Sequence, residues 1–528
     1  MKNNILLFAI VLFSLLIRLL YLGENPRILN RDEAAIGYNA FLLQQSGRDE
    51  WGKSWPLTLE SFGDYKLIGY PFFVASLFNF LPATDFVVRL PSALFGSALI
   101  IGVYLLTLRI NKNKSIAILA AYLTAVTPIF FFYSRIAFEA NVALFFFIMY
   151  LYFLLREVDK KTVIFDCIAL FFALLAVLTY NTPLLLLPFI IFLIPLIRGI
   201  KHWKSWLFVF SGSLLLIFLL FSIFASLTTQ KQGITIFADS AITLAYSDYR
   251  ASFSGVFQTV LGNKYLYYFK LSLANFFKSF SPEFLVIKGG EHPWHTLPGW
   301  GHLLLPLYFT SLSGIIYALV TFFSFFKKLK IKTIFESKLL ESKSAPQFLL
   351  LYFLIISLAP SVITVDSPHA TRSLFFIVIL VIFSAVAVDA SSRFSKFSRI
   401  LSLGILVSCS FLFSSYLNDY FSKYPQQQTE ILRTGFAATL QEIDQKHSEE
   451  KIAVVDTSGY QYILLAWYLK IPPQEFFDTV IKQQPDRIGF RYGEKVGRYH
   501  FVAKALDRSQ DEKYVVEWKE NTWKSTEY

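Results

Sequence analysis

The stretch ILLFAIVLFSLLIRLLYLGENPRILNRDEAAIGYNAF, residues 5–41, decides how the chain is read. A hydrocarbon core about 30 Å thick needs roughly 20 apolar residues to cross it, and the run 5–22 nearly supplies them. The adjacent acids Asp32 and Glu33 follow, and then an aromatic-containing helical pattern. Lys2 ahead of an apolar run resembles the start of a signal peptide. No small-residue cleavage site follows, so an uncleaved first span is expected. The chain therefore sets an acid pair just outside a membrane span.

Composition extends that reading to the whole chain. Of 528 residues, 55% are hydrophobic, 16% charged and 18% aromatic, with 57 Phe. The mean hydropathy is +0.50. These values describe a polytopic membrane protein. A net charge of +12 would point to nucleic acid in a soluble chain. Here the basic residues gather in short loops between apolar runs, as the positive-inside rule requires, so no nucleic-acid partner is expected. Cys167 and Cys409 both lie inside apolar runs, which predicts neither a disulfide nor a cysteine metal cluster.

Spans are expected near 4–22, 86–108, 116–133, 140–155, 162–180, 183–199, 205–225, 302–326, 347–364, 372–389 and 399–415. With them, every basic cluster falls on one side, the cytoplasm: Lys2, RINKNK at 109–114, Arg156 with DKK at 159–161, RGIKHWK at 198–204, KKLKIK at 327–332 and RFSKFSR at 393–399. The N-terminus is then cytoplasmic, and 23–85, 226–301 and everything after about 416 lie outside. The apolar segment 67–82 must not cross, or every later basic loop would change sides. It is read as interfacial or re-entrant. Beyond 416 the pattern changes. KIAVVDTSG at 451–459 reads as a buried strand and turn, YQYILLAWYLK at 460–470 as a helix packed on it, and KYVVEW at 513–518 as another strand. The expected fold class is an all-α polytopic membrane protein of about eleven helices, residues 1–415, with a small extracytoplasmic α/β domain, 416–528.

The charged residues that remain lie at the outer ends of spans. Adjacent helical residues point about 100° apart, so Asp32 and Glu33 cannot serve one point unaided. One can face a cavity while the other supports the helix N-terminus, where acids are favoured. Asp64 and Lys66 flank the interfacial segment in FGDYKLIGYP, and a lysine at that depth suits a phosphate headgroup or simple surface anchoring. Arg135 and Glu139 in YSRIAFEAN are four apart, as in a helical ion pair, yet sit at the interface, where charge is costly. VDSPHATRSL, 365–374, places Asp366, His369 and Arg372 at a helix start, a natural anion site. The segment 281–304 holds Glu283, Lys288, Glu291 and three of the seven histidines, His292, His295 and His302. Its spacing matches no standard metal motif, so an ordered substrate-binding loop is preferred and metal is left open. Tyr180 and Asn181 end a span on the same side.

All of these clusters share one expected membrane face, and no acid sits at mid-bilayer as an ion pathway would require. An acid pair beside Lys and Arg at a lipid interface suits a lipid-phosphate substrate, with a carboxylate as general base on an acceptor hydroxyl and cations on the leaving phosphate.

The ordered set RDEAAIGYNAF, GDYKLIGYP, VVRLPSALFGSALIIGVYLL, SRIAFEAN, SPEFLVIKGG and DSPHATRSL resembles, over about 1–415, the bacterial membrane glycosyltransferases of GT-C fold. That group is related to protein O-mannosyltransferases and aminoarabinose transferases. The resemblance implies a polyprenyl-phosphate-linked sugar donor and transfer, by inversion, on the outer face of the plasma membrane. It implies Asp32 as catalytic base with Glu33 beside it, and Glu139 as the second acidic position after Arg135. Lys66 falls where the family has a lysine followed by prolines, which are missing here, and Arg31 replaces the aromatic residue often preceding the acids. Asp64, Lys66, Arg135, His292, His369 and Arg372 are the expected substrate-binding residues. Metal dependence varies within the fold and is not carried over. The expected partners are the lipid-linked donor, membrane lipids and a protein, lipid or glycan acceptor. A lipid-linked glycan polymerase or ligase, and a glycan transporter or flippase, are the alternatives. A transporter would show repeats and broken helices with central charges, which the sequence lacks.

Overall fold

A computed structural model describes residues 2–156, 162–198, 203–223, 234–290, 292, 294–326, 345–393, 395–486 and 490–528. The basic stretches 159–161 and 327–332, and parts of 198–204 and 393–399, lie outside the described residues, as does Glu291. The described chain is mostly helical, and helices lie within each expected span, two of which, 116–133 and 347–364, are each divided into a longer and a shorter helix. Among the described residues, seven helices are long and apolar enough to cross a membrane, and four further apolar helices, Asn3–Leu19, Lys114–Ala125, Glu139–Leu154 and Asn181–Leu196, are shorter. The expected span 116–133 is divided at Thr127–Pro128 into α5 (Lys114–Ala125) and α6 (Pro128–Tyr133), because a proline cannot continue the helical hydrogen bonds. The segment 67–82 forms only α3 (Gly69–Leu77), about 13 Å long and too short to span.

The chain divides into two compact units. The first comprises Met1–Leu16, Phe95–Tyr133 and Ala140–Tyr416. Its centre is the helix Leu374–Ser392, which opens on a 3-10 turn, Thr371–Ser373, and is buried along nearly its whole length. Apolar on every side, it is a core helix rather than a lipid-facing one. The helices α5 and Leu305–Phe326 pack on it. The second can do so because of Gly314: a Cβ there would lie 2.1 Å from the Phe383 carbonyl oxygen, so only glycine permits the backbones to approach this closely. The segment after residue 239 forms short helices, among them Lys264–Lys278, whose Tyr265, Phe269 and Phe277 are exposed. Such an aromatic face suits a membrane interface.

The second unit comprises Ile17–Leu94, Ser134–Glu139 and Leu417–Tyr528. It contains α2 (Arg31–Ser46), the hairpin β1 (Thr58–Ser61) and β2 (Asp64–Leu67), and α3. It also contains a six-stranded sheet in the order β4-β5-β6-β3-β7-β8. Here β3 is Ile452–Val455, β4 Ile481–Lys482, β5 Gly493–Val496, β6 Tyr499–Val502, β7 Tyr514–Lys519 and β8 Thr522–Glu527. β3 runs parallel to both β6 and β7, and the other pairs are antiparallel. β3, the Gln461–Tyr468 helix and β7 occur where the tail's sequence predicts them.

That tail grips the segment 23–85. Trp467 is fully buried, ring-stacked with Phe78, and donates its indole N–H to Asp85 at 2.8 Å. Tyr38 of α2 donates to the Ile471 carbonyl at 2.9 Å. Glu50 is a buried node: it accepts from Ser61 at 2.7 Å and Tyr462 at 3.0 Å, and Lys482 lies 3.4 Å away. These bonds satisfy a carboxylate that would otherwise be costly to bury.

Candidate active site

The N-terminus of α2 explains how adjacent acids take different tasks. Asn30 is the cap: its side-chain oxygen accepts the N–H groups of Asp32 and Glu33 at 2.9 and 3.0 Å. Glu33 reaches back to the Asn30 N–H at 3.1 Å and completes a capping box. The Asp32 carboxylate is left out of the cap. It meets the ammonium of Lys66 at 2.7 Å, with side-chain exposures of 32% and 11%.

Lys66 is held at that place by the hairpin. Its partner across the strands is Leu59, and the turn Phe62–Gly63 is left-handed at both residues. That conformation strains a bulky phenylalanine. The tail compensates: Phe62 packs edge-on against Tyr462 at 5.8 Å, and its carbonyl accepts the Arg491 N–H at 3.0 Å. Asp64 opens β2 opposite Ser61, while its side chain lies outside the described residues. Arg31 lies 5.9 Å from the ring of Tyr460.

Glu33 and Arg135 are enclosed. Glu33 is 1% exposed and both its oxygens are engaged. Arg89 donates Nε to Oε1 at 2.9 Å and Nη2 to Oε2 at 3.2 Å, and the Ala137 N–H reaches Oε1 at 2.8 Å. The remaining N–H groups of Arg89 go to the carbonyls of Leu22, Pro26 and Ile28. Arg135 is fully buried and donates to the carbonyls of Ile17, Arg18, Leu20, Tyr21 and Asn25. It thus closes the carbonyl end of α1 (Lys2–Leu19), whose last turn has no intrahelical donors. Residues 134–137 form a turn rather than the helix that an Arg135–Glu139 pair at four-residue spacing would need. Glu139 is the first residue of α7 (Glu139–Leu154) and is 8% exposed.

The first unit gathers the other expected residues. The rings of His292 and His369 lie 5.5 Å apart, and His295 is 5.3 Å from the first and 4.9 Å from the second. Asp366 accepts at Oδ1 from Nη1 of Arg372 at 2.5 Å, and its Oδ2 is 3.6 Å from Nε2 of His369. Arg372 also donates to Thr364 at 3.1 Å. Burial, then the Arg372 guanidinium, then the neighbouring imidazoles hold the His369 proton affinity far below the ordinary range, so its ring is neutral. The segment 281–304 does not act as one loop. Glu283 and Lys288 form an exposed pair, and His302 is buried against Phe284. Tyr180 lines a small apolar niche of about 20 Å³ with Thr371 and Phe375.

Arg89 and Glu50 were passed over in the sequence. An arginine four residues into an apolar span carries a signal, because intramembrane charge demands a partner. Glu50 carries none: only folding shows that RDEWG at 48–52 is enclosed by the tail.

Residues 68–227 match the family model described as dolichyl-phosphate-mannose-protein mannosyltransferase. No curated protein matches the chain. Among solved structures, the oligosaccharyltransferase AglB from Archaeoglobus fulgidus, with an inhibitory peptide and a dolichol-phosphate, aligns with a TM-score of 0.53 at 15% identity. The alignment covers 87% of this chain and 63% of AglB, so the chain spans less than two thirds of that protein. ArnT from Cupriavidus metallidurans, bound to undecaprenyl phosphate, aligns with a TM-score of 0.53 at 13% identity, covering 88% of this chain and 84% of ArnT. The fold is GT-C, with a small C-terminal strand-containing domain. Together these likenesses show the GT-C fold, and residues 68–227 carry the likeness to the mannosyltransferase family model.

Proposed function

We propose that the chain transfers a sugar from a polyprenyl-phosphate-linked donor to an acceptor hydroxyl on the outer face of the plasma membrane, with inversion. The observation that carries this reading is the partly exposed carboxylate of Asp32, held by Lys66 at a helix start whose capping is done by Asn30. Asp32 takes the acceptor proton as the hydroxyl attacks the anomeric carbon and the donor phosphate leaves. Lys66, whose ammonium donates to Asp32, serves the phosphate as a point charge. Glu33, through Arg89 and Asn30, positions the helix start that presents Asp32. Glu139 stands as a second acidic position. Arg135 contributes by fixing the chain after α1 rather than by touching substrate.

The likeness to a protein solved with undecaprenyl phosphate supports a lipid-phosphate donor. The likeness to an oligosaccharyltransferase keeps a lipid-linked glycan ligase as a second reading, distinguished by a donor carrying a diphosphate and more than one sugar. The tail, 416–528, is proposed as an extracytoplasmic α/β domain and the N-terminus as cytoplasmic.

The test uses purified protein in lipid, a panel of polyprenyl-phosphate monosaccharides and polyprenyl-diphosphate oligosaccharides, and extracted envelope acceptors. Acceptor-dependent release of polyprenyl phosphate from a monosaccharide donor supports the proposal. Turnover of the diphosphate donors alone replaces it with the ligase reading.

A further inference from the structure

Two imidazoles and a carboxylate converge in the first unit from segments far apart in the chain. One ligand atom each from His292, Asp366 and His369 lies within 4.8 Å of the others. The approach of Asp366 Oδ2 to His369 Nε2, 3.6 Å, is long for a hydrogen bond. It is close to the spacing of about 3.4 Å between two donors that each stand about 2.1 Å from a tetrahedral ion. The side chain of His369 is 10% exposed, and its Nδ1 is buried with no hydrogen-bond partner. Asp366 is already oriented: Arg372 and, behind it, Thr364 hold Oδ1 and leave Oδ2 turned toward the histidines. A carboxylate steadied in this way by an outer partner is what metal ligands commonly show.

We infer that His292, Asp366 and His369 form a binding site for a divalent transition metal of the zinc class. Two histidines and one carboxylate is a ligand set that zinc accepts with a fourth position left open. His295, whose ring stands beside both histidines, and Tyr133, 6.1 Å from His295, line one side of the site with rings. The open position lies in a neighbourhood that already holds Arg372, so an anionic oxygen, such as one on a phosphate, is the class of ligand it would accept. That last role rests on the glycosyl-transfer reading, whereas the metal site itself does not.

The test reads metal rather than transfer. Full-length protein in detergent is stripped with a chelator, reloaded with Zn(II), desalted and assayed for zinc. Co(II) serves as a spectroscopic probe of tetrahedral coordination. The wild type is expected to retain about one ion per chain. His292→Ala and Asp366→Asn, both at exposed positions, are expected to weaken retention by at least about tenfold while thermal unfolding in the stripped state is unchanged. A wild type that holds no zinc after reloading overturns the site, and so do variants that hold zinc as tightly as the wild type. Sugar transfer that persists without metal leaves the site standing and limits only its part in catalysis.

Discussion

The ammonium of Lys66 lies 2.7 Å from the carboxylate of Asp32, a residue 34 positions earlier in the chain. One group sits at a helix start and the other on a short strand. The pair gives the proposed chemistry its most direct tests.

Asp32→Asn removes the basic oxygen while keeping shape and leaving the Asn30 cap intact. Transfer should fall by about a hundred- to ten-thousandfold, the usual contribution of a general base. Membrane insertion and thermal unfolding should match wild type. Turnover within a fewfold of wild type would remove Asp32 from the role of base.

Lys66→Met should act on donor use. Loss of a charged hydrogen bond to phosphate costs about 1.5–3 kcal/mol, or roughly ten- to a hundredfold in donor KM. Lys66→Arg should recover part of this. An unchanged donor KM in Lys66→Met would place the lysine outside the phosphate site.

Arg89→Met tests the scaffold rather than the chemistry. It leaves Glu33 buried without its ion-pair partner, and breaking such a pair costs about 3–5 kcal/mol. Thermal unfolding in detergent should drop sharply. The double variant Arg89→Met with Glu33→Leu should recover much of the loss, because no unpaired charge remains. A single variant as stable as wild type would contradict the buried-pair account.

Lys470 lies over the ring of Trp467, 3.0 Å from its centroid. Burial pushes its ammonium down to about 7 from an ordinary 10.5, with Asp85 opposing. The unfolded chain therefore binds a proton between these values that the folded chain does not, and stability should rise with pH across that window. Below about 7 the penalty is fully present. Lys470→Met should flatten the rise and stabilise the protein at neutral pH. Unfolding midpoints measured from pH 6 to 10, about the limits of the window, check both slopes. An identical slope in the variant would assign the effect elsewhere.

Local pattern made the membrane architecture legible. Runs of about 20 apolar residues have one comfortable solvent, and loop charge orients them, so the spans and the interfacial segment could be placed from composition and spacing. The strand β3, the helix after it and β7 were legible for the same reason: short apolar runs bounded by turn residues admit few alternatives. Asp32 was also visible, since an acid just outside a span invites a reason.

What the sequence by itself determined about this protein is its solvent, the order of its helices and the residues with chemistry to offer. Which of those residues do what was decided by tertiary structure. Asp32 and Glu33 are adjacent and chemically alike, yet only folding gave one to Lys66 and the other to Arg89. Arg135 reads as an interfacial cation, but five carbonyls from the first span and its exit enclose it. Glu50 and Lys482, separated by most of the chain, meet because the tail packs on the segment 23–85. His292 and His369 were separate motifs until the fold set their rings side by side. The physical reason is common to all four. Partner choice for a charged group depends on where water is excluded and which oppositely charged or polar atoms arrive there, and that is a property of packing between distant segments rather than of local pattern.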